Sequence, residues 1–162
     1  LLDNDTETFW QSDGPQPHFV TAVFSQKTTV SHLFVCCNWR SDESYTPNKV
    51  SVRIGNSIND LYELSQYTLL HCNGWFKITL KHQNGERVRT WVLQLVVLSN
   101  YQSGRDTHIR CMRIFGPISG RNVETLEQIQ QNNAVFIKKS KRYPKMKLEN
   151  KIVSQINFAD IR

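Results

Sequence analysis

Ser44, Asp106 and His108 are the residue types of a hydrolase relay: a hydroxyl nucleophile, a carboxylate and an imidazole base. The rest of that chemistry is missing from the sequence around them. No G-x-S-x-G elbow presents Ser44, and residue types alone do not make a triad. Asp106 and His108 lack zinc-site spacing, and Cys36, Cys37, Cys72 and Cys111 contain no C-x-x-C pair. Asp3 and Asp5 in "LLDNDTETFW" could hold calcium but lack the EF-hand spacing. A capped turn before a buried Trp10 is the better reading. No catalytic residue, metal or cofactor is expected.

Recognition suits these residues better. Arg105 offers a forked cation, Asp106 an acceptor, and Ser44, Thr46 and Thr107 supply hydroxyls. Tyr45 adds a rigid amphipathic surface, while Pro47 and Gly104 give the loops defined shapes. They cluster in two polar stretches, "SDESYTP" (41–47) and "SGRDTH" (103–108), each lying between apolar runs. A shallow polar cleft of this composition fits a peptide or a sugar. The plainer reading is that Arg105 and Asp106 only brace their own loop.

The elements that position these loops are strands. "VSVRI" (50–54) puts Val50, Val52 and Ile54 on one face, and "WFKITL" (75–80) does so with Phe76, Ile78 and Leu80. Alternation of this kind marks half-buried antiparallel strands. Segments 19–25, 30–37, 67–72, 90–98 and 109–115 bring the number of expected strands to about seven. Turn chemistry separates them at 13–17, at Gly55, around Asn73-Gly74, at 83–86 and at "SGRD". No convincing helix intervenes before Gly120. Many strands without alternating helices predict an all-β, two-sheet sandwich of Greek-key or jelly-roll type.

The chain has 162 residues and a net charge of +6, enough for one sizeable core. Through Gly120 the balance is eleven Lys/Arg to ten Asp/Glu, and nine to four thereafter. A near-neutral body argues against a nucleic-acid face, and the basic run "KKSKRYPKMK" (138–147) reads as a solvated segment. No apolar run approaches the roughly 20 residues that span a bilayer, so no membrane partner is expected. The stretch 122–139 can be helical, with Val123, Leu126, Gln130 and Ala134 near one face. Residues 1–118 are therefore expected to form the sandwich and 119–162 a partly helical or flexible basic extension. Cys36 and Cys37 are adjacent, so one faces the core and the other away. Reduced structural thiols weakly favour cytosol or nucleus.

At this level of detail the motifs become familiar. "DNDTETFWQSDGPQPH" (3–18), "SDESYTPNKVSVRIGN" (41–56), "NGW" (73–75) and "SGRDTHIRCMRIF" (103–115) closely resemble the DOC-domain subunits of the anaphase-promoting complex. The resemblance covers roughly residues 3–118, in order. It implies a galactose-binding-like jelly roll without catalytic residues. In that family the subunit acts with a WD-repeat coactivator as co-receptor for destruction-box substrates. It promotes processive ubiquitination of cell-cycle proteins in nucleus and cytoplasm, while the cullin-RING core carries ubiquitin transfer. Carried over by motif, the degron loops are Ser44, Tyr45 and Thr46, and Ser103, Gly104, Arg105, Asp106, Thr107 and His108. Ser103 stands where many members have Asn, which implies a shortened or lost side-chain amide contact. The final Ile161-Arg162 resembles the family tail that docks on a tetratricopeptide-repeat subunit. The family normally has a further N-terminal strand region, which the DOC domain of residues 1–118 is expected to lack in this numbering. A carbohydrate-binding module is the alternative that the same fold would allow.

Overall fold

The computed structural model describes residues 1–3, 5–117, 146–149 and 155–157. Strands dominate: β1 (Trp10–Gln11), β2 (His18–Val30), β3 (His32–Asn38), β4 (Pro47–Gly55), β5 (Leu61–Thr68), β6 (Asn73–Thr79), β7 (Val88–Asn100), β8 (His108–Ile109) and β9 (Cys111–Phe115). β10 (Met146–Glu149) and β11 (Gln155–Asn157) follow. They form a six-stranded sheet in the order β11-β10-β2-β7-β4-β5, a three-stranded sheet β6-β3-β9, and a small β1-β8 pair. Every pairing is antiparallel. Among the described residues the helical content is a single turn, α1 (Trp39–Asp42), and two 3₁₀ turns at Glu43–Tyr45 and Tyr101–Ser103.

Alternation in the sequence becomes the core. Val50, Val52 and Ile54 of β4, Val20, Ala22 and Phe24 of β2, and Leu93, Leu95 and Val97 of β7 line the large sheet's inner face. Leu33, Val35 and Cys37 of β3 oppose them, with Ile78 of β6 and Met112 and Ile114 of β9. Burying side chains of this size stabilises by about 1.5–3 kcal/mol each. Thr90 interrupts the β7 period: its hydroxyl accepts from the Gly55 and Val92 amides and donates toward their carbonyls. Opposite this point the register with β2 shifts between Val23 and Thr28, so the extra residues lie in β2.

Two strand expectations need correction. The fifth strand is 61–68, and residues 70–71 form the turn that follows it. β5 is an edge strand, so most of its residues are polar and at least partly exposed. Its apolar end, running into the buried Leu69, drew the expected strand past its true terminus. Asn73 and Gly74 accordingly start β6 and do not form a turn. Trp10 is half-buried against the core. Both adjacent thiols are buried: Cys37 within the core, and Cys36 on the opposite face, paired across the strands with Cys111. All four cysteines are free. The helical expectation over 122–139 lies outside the described residues, whereas β10 extends the large sheet along the edge of β2.

Candidate functional site

Both polar stretches leave the sandwich at the same end. β4 begins at Pro47 directly opposite Asn100, where β7 finishes. The segment entering β4 and the segment leaving β7 must therefore lie side by side. Asn38 caps α1, its side chain accepting from the Ser41 amide at 3.2 Å. The chain then tightens through Glu43–Tyr45, while Tyr101–Ser103 makes a matching turn on the other side.

Backbone contacts fasten the two loops together. The Tyr101 amide donates to the Thr46 carbonyl at 3.0 Å, and Thr107 Oγ1 donates to the Tyr45 carbonyl at 3.2 Å. Gly104 matters for space: a Cβ there would overlap the Ser44 carbonyl. Its own φ of −58° is ordinary, and the left-handed positions are Gln102 and Ser103, at φ 50° and 58°. Residues of the segment 12–18 and the end of β7 hold the second loop. Gln16 Nε2 donates to the Gly104 carbonyl at 2.7 Å, His18 Nε2 donates to that of Arg105 at 2.7 Å, and Asn100 Nδ2 to that of Asp106 at 2.6 Å. Ser12 and Thr107 exchange two further bonds, at 3.0 and 2.8 Å.

Beneath the first loop lies a buried ion pair. Asp42 accepts from Arg110 Nε at 3.0 Å and from NH2 at 2.8 Å, the two-pronged geometry that carboxylates make with guanidinium. Arg110 also donates to the Thr6 carbonyl at 2.8 Å, anchoring the N-terminal segment. Burial pushes the Asp42 pKa up, but the bonds and charges of Arg110 and His108 outweigh it and hold the carboxyl below its usual value. Asp42 in turn raises Arg110 above the ordinary guanidinium value.

His108 is the keystone of a three-ring stack. Phe9 lies on one face at 3.9 Å between centroids and Tyr45 on the other at 4.4 Å. Its nitrogens meet Asp42 Oδ1 at 3.4 Å and Gln11 Oε1 at 3.2 Å. Both outer rings of the stack are exposed. With its nitrogens so engaged, His108 forms no Ser44–His108–Asp106 relay.

The structure thus brings the expected loop residues into one cluster but sorts them into two groups. Tyr45, Ser103 and Arg105 are exposed, and Ser44, Gly104 and Asp106 half-buried. Thr46 and Thr107 are fully enclosed, and His108 is buried. The threonine hydroxyls therefore face inward and do not present themselves to a ligand. Asp3 and Asp5 accept from the amides two residues on, at 3.3 and 2.9 Å, the geometry of capped turns. Ile161 and Arg162 lie outside the described residues. The sequence reading missed Asp42, Arg110, Phe9 and Gln11. Asp42 stood within a quoted motif, but no local signal couples it to a partner 68 positions away.

Comparison with known proteins fits this arrangement. Residues 1–141 match the family model for anaphase-promoting complex subunit 10. The chain is 44% identical over 123 residues to anaphase-promoting complex subunit 10 of Homo sapiens, covering 76% of this chain and 66% of that one. The Drosophila melanogaster subunit 10 is 43% identical over 122 residues, 75% of this chain and 63% of the relative. Subunit DOC1 of Saccharomyces cerevisiae is 30% identical over 140 residues, 83% and 56% of the two chains. The chain thus spans between 56 and 66% of the length of these three relatives. Among solved structures, a carbohydrate-binding domain from Clostridium perfringens in complex with GalNAc-β-1,3-galactose superposes with a TM-score of 0.59 at 10% identity, covering 70% of this chain and 79% of that one. The family 32 CBM of C. perfringens NanJ with galactose gives 0.56 at 12% identity, covering 69% and 79%. These likenesses show the fold, a galactose-binding-like jelly roll. By sequence, the chain belongs to the anaphase-promoting complex subunit 10 family.

Proposed function

We propose that this chain is a non-catalytic substrate-recognition subunit of an anaphase-promoting complex. It serves as destruction-box co-receptor beside a WD-repeat coactivator and favours processive ubiquitination of cell-cycle proteins. The observation that carries this reading is the union of 41–46 and 101–108 into one polar surface stiffened from beneath. Ser44, Tyr45, Ser103, Arg105 and Asp106 are the contact residues, and Thr46, Gly104, Thr107 and His108 position them. Ubiquitin transfer remains with the cullin-RING core, no cofactor or metal is required, and the reading carries a nuclear and cytoplasmic location. Ile161-Arg162 anchors the chain on a tetratricopeptide-repeat subunit, so deleting both should weaken pull-down by that subunit. The sugar-binding alternative has less behind it, because similarity to sugar-binding modules at 10 and 12% identity speaks only to fold.

A complex reconstituted with the Ser44→Ala/Ser103→Ala chain should add fewer ubiquitins per encounter to a destruction-box substrate. Two lost polar contacts, at about 0.5–1.5 kcal/mol each, correspond to roughly five- to a hundredfold in degron affinity. Fold and assembly should survive, since surface changes usually cost within about 0.5 kcal/mol. Unchanged processivity would remove the loops from the degron.

A further inference from the structure

Two of the four thiols meet where β3 runs into α1. Cys37 stands opposite Gly74 in the β3–β6 ladder. Cys72, two residues before that glycine, points toward the same face, and both side chains belong to the core. Gly74 sets no side chain between them. The Cys37 thiol donates to the Cys72 sulfur, and the Cys72 thiol donates to the Gly74 carbonyl at 3.4 Å. The bond from Cys37 outweighs burial and holds Cys72 below the ordinary thiol value, while the same bond and burial hold Cys37 well above it. Cys72 is also the more open of the two, 7% exposed against 1%, in a turn between the exposed His71 and Asn73.

The other two thiols lack this division of roles. Cys36 and Cys111 face each other on the far side of β3, and both are more enclosed than Cys72. Burial pushes Cys36 up to about 11 and raises Cys111 as well. Attack on an oxidant needs a thiolate, so this pair is the less reactive one.

The Cys72 turn is tied to the loops at the polar end. The Cys72 carbonyl accepts from the Trp39 amide at 3.0 Å, the His71 amide donates to Tyr101 Oη at 2.6 Å, and that hydroxyl donates to the Leu69 carbonyl. The His71 ring meets Trp39 edge to face at 4.6 Å and stacks on Tyr101 at 5.2 Å. Tyr101 opens the second loop and its amide bonds to Thr46 in the first. A shift of Cys72 is therefore felt at Trp39 and Tyr101.

We propose that Cys72 and Cys37 form a site of reversible oxidation, at which a peroxide converts the two thiols to an intrachain disulfide. The Cys72 thiolate attacks one peroxide oxygen and breaks the O–O bond, giving a sulfenic acid and hydroxide, which takes up the proton Cys72 released. The Cys37 sulfur then attacks the Cys72 sulfur, and the sulfenic oxygen leaves as a second water with the Cys37 proton. One peroxide is reduced to two waters, and two thiols are oxidised to one disulfide. Closing the sulfurs to about 2.05 Å draws the turn toward the end of β3. The chemistry stands independently of the degron reading.

The test treats the full chain with hydrogen peroxide, alkylates the remaining thiols and maps the products by mass spectrometry. The native chain should form a Cys37–Cys72 bridge that dithiothreitol reverses, at least about tenfold faster than Cys36 or Cys111 reacts. In denaturant that preference should vanish. Cys37→Ala, its fold checked by circular dichroism, should leave Cys72 as a sulfenic acid trapped by a 1,3-diketone probe. NMR of the oxidised chain should show shifts at the Trp39 indole, His71 and Tyr101, and none at the 82–86 turn. No oxidation at doses that convert free cysteine, a Cys36–Cys111 bridge, or links between chains would overturn the proposal. So would a folded Cys37→Ala chain in which Cys36 or Cys111 takes the probe first, or a bridge that leaves Trp39 and Tyr101 unmoved.

Discussion

The two ends of the sandwich solve the same chain-reversal problem in different ways. At one end, the 82–86 turn closes on itself: His82 and Glu86, Gly85 and His82, and Glu86 and Asn84 exchange bonds at 3.1, 2.8 and 3.0 Å. Every partner there lies within four residues. At the other end, the 101–108 loop bonds to Ser12, Gln16, His18, Tyr45 and Thr46, all at least 55 positions away. Reversing direction needs only local bonds. Long-range bonds instead tie the loop's shape to the whole fold, which is what a binding surface needs and a mere turn does not. The polar excess in "SDESYTP" and "SGRDTH" is therefore divided: part of it is buried bracing, and part is presented outward.

The sharpest way to break this contrast is to remove the brace. Asp42→Ala leaves the enclosed Arg110 charge without its partner, a loss that typically costs about 3–5 kcal/mol. Chemical denaturation should show a drop of that order, with the N-terminal segment loosened because Arg110 also holds the Thr6 carbonyl. Next in size is Gly104→Ala. The added methyl must displace the Ser44 backbone, costing about 1–3 kcal/mol as overpacking does. NMR should report shifts in both loops and none at the 82–86 turn.

Acid should act at the same place. The folded pKa of Asp42 lies below its usual value of 3.8. Its contribution is then complete above that value and disappears as pH falls through the folded pKa. Glu63, also lowered, by bonds from Gln66 and Ser51, begins to lose its share at a higher pH, as pH falls below its usual 4.5 and through its folded pKa. In Asp42→Asn the acid limb of the stability curve should be shallower than in the parent chain, measured by thermal unfolding from pH 5 downward. The smallest effect belongs to the other end. Asn84→Ala removes one local bond and should change stability by no more than about 0.5 kcal/mol, leaving loop resonances unmoved.

Much of this was legible in the sequence, and the limits have physical reasons. β4 and β6 announced themselves because one face of each is core and the other is not. β5 hid because an edge strand with most of its side chains at least partly exposed carries little period-2 signal. The loops were legible by polar density, since exposed loop chemistry is local. The Asp42–Arg110 pair and the Phe9–His108–Tyr45 stack were not, because each joins segments that only the folded sheets bring together. Thr46 and Thr107 show the reverse failure. Their residue type suggested ligand hydroxyls, and only burial reveals that they face inward.

The most direct test is site-specific photocrosslinking of a destruction-box peptide in the coactivator-bound complex. Probes would replace Ser44, Ser103 and, as the opposite-end control, Asn84. The account predicts adducts from both loop positions, competed away by unlabelled peptide, and none from position 84. Adducts from only one loop, or equally from position 84, would contradict a single degron-facing surface built from both loops.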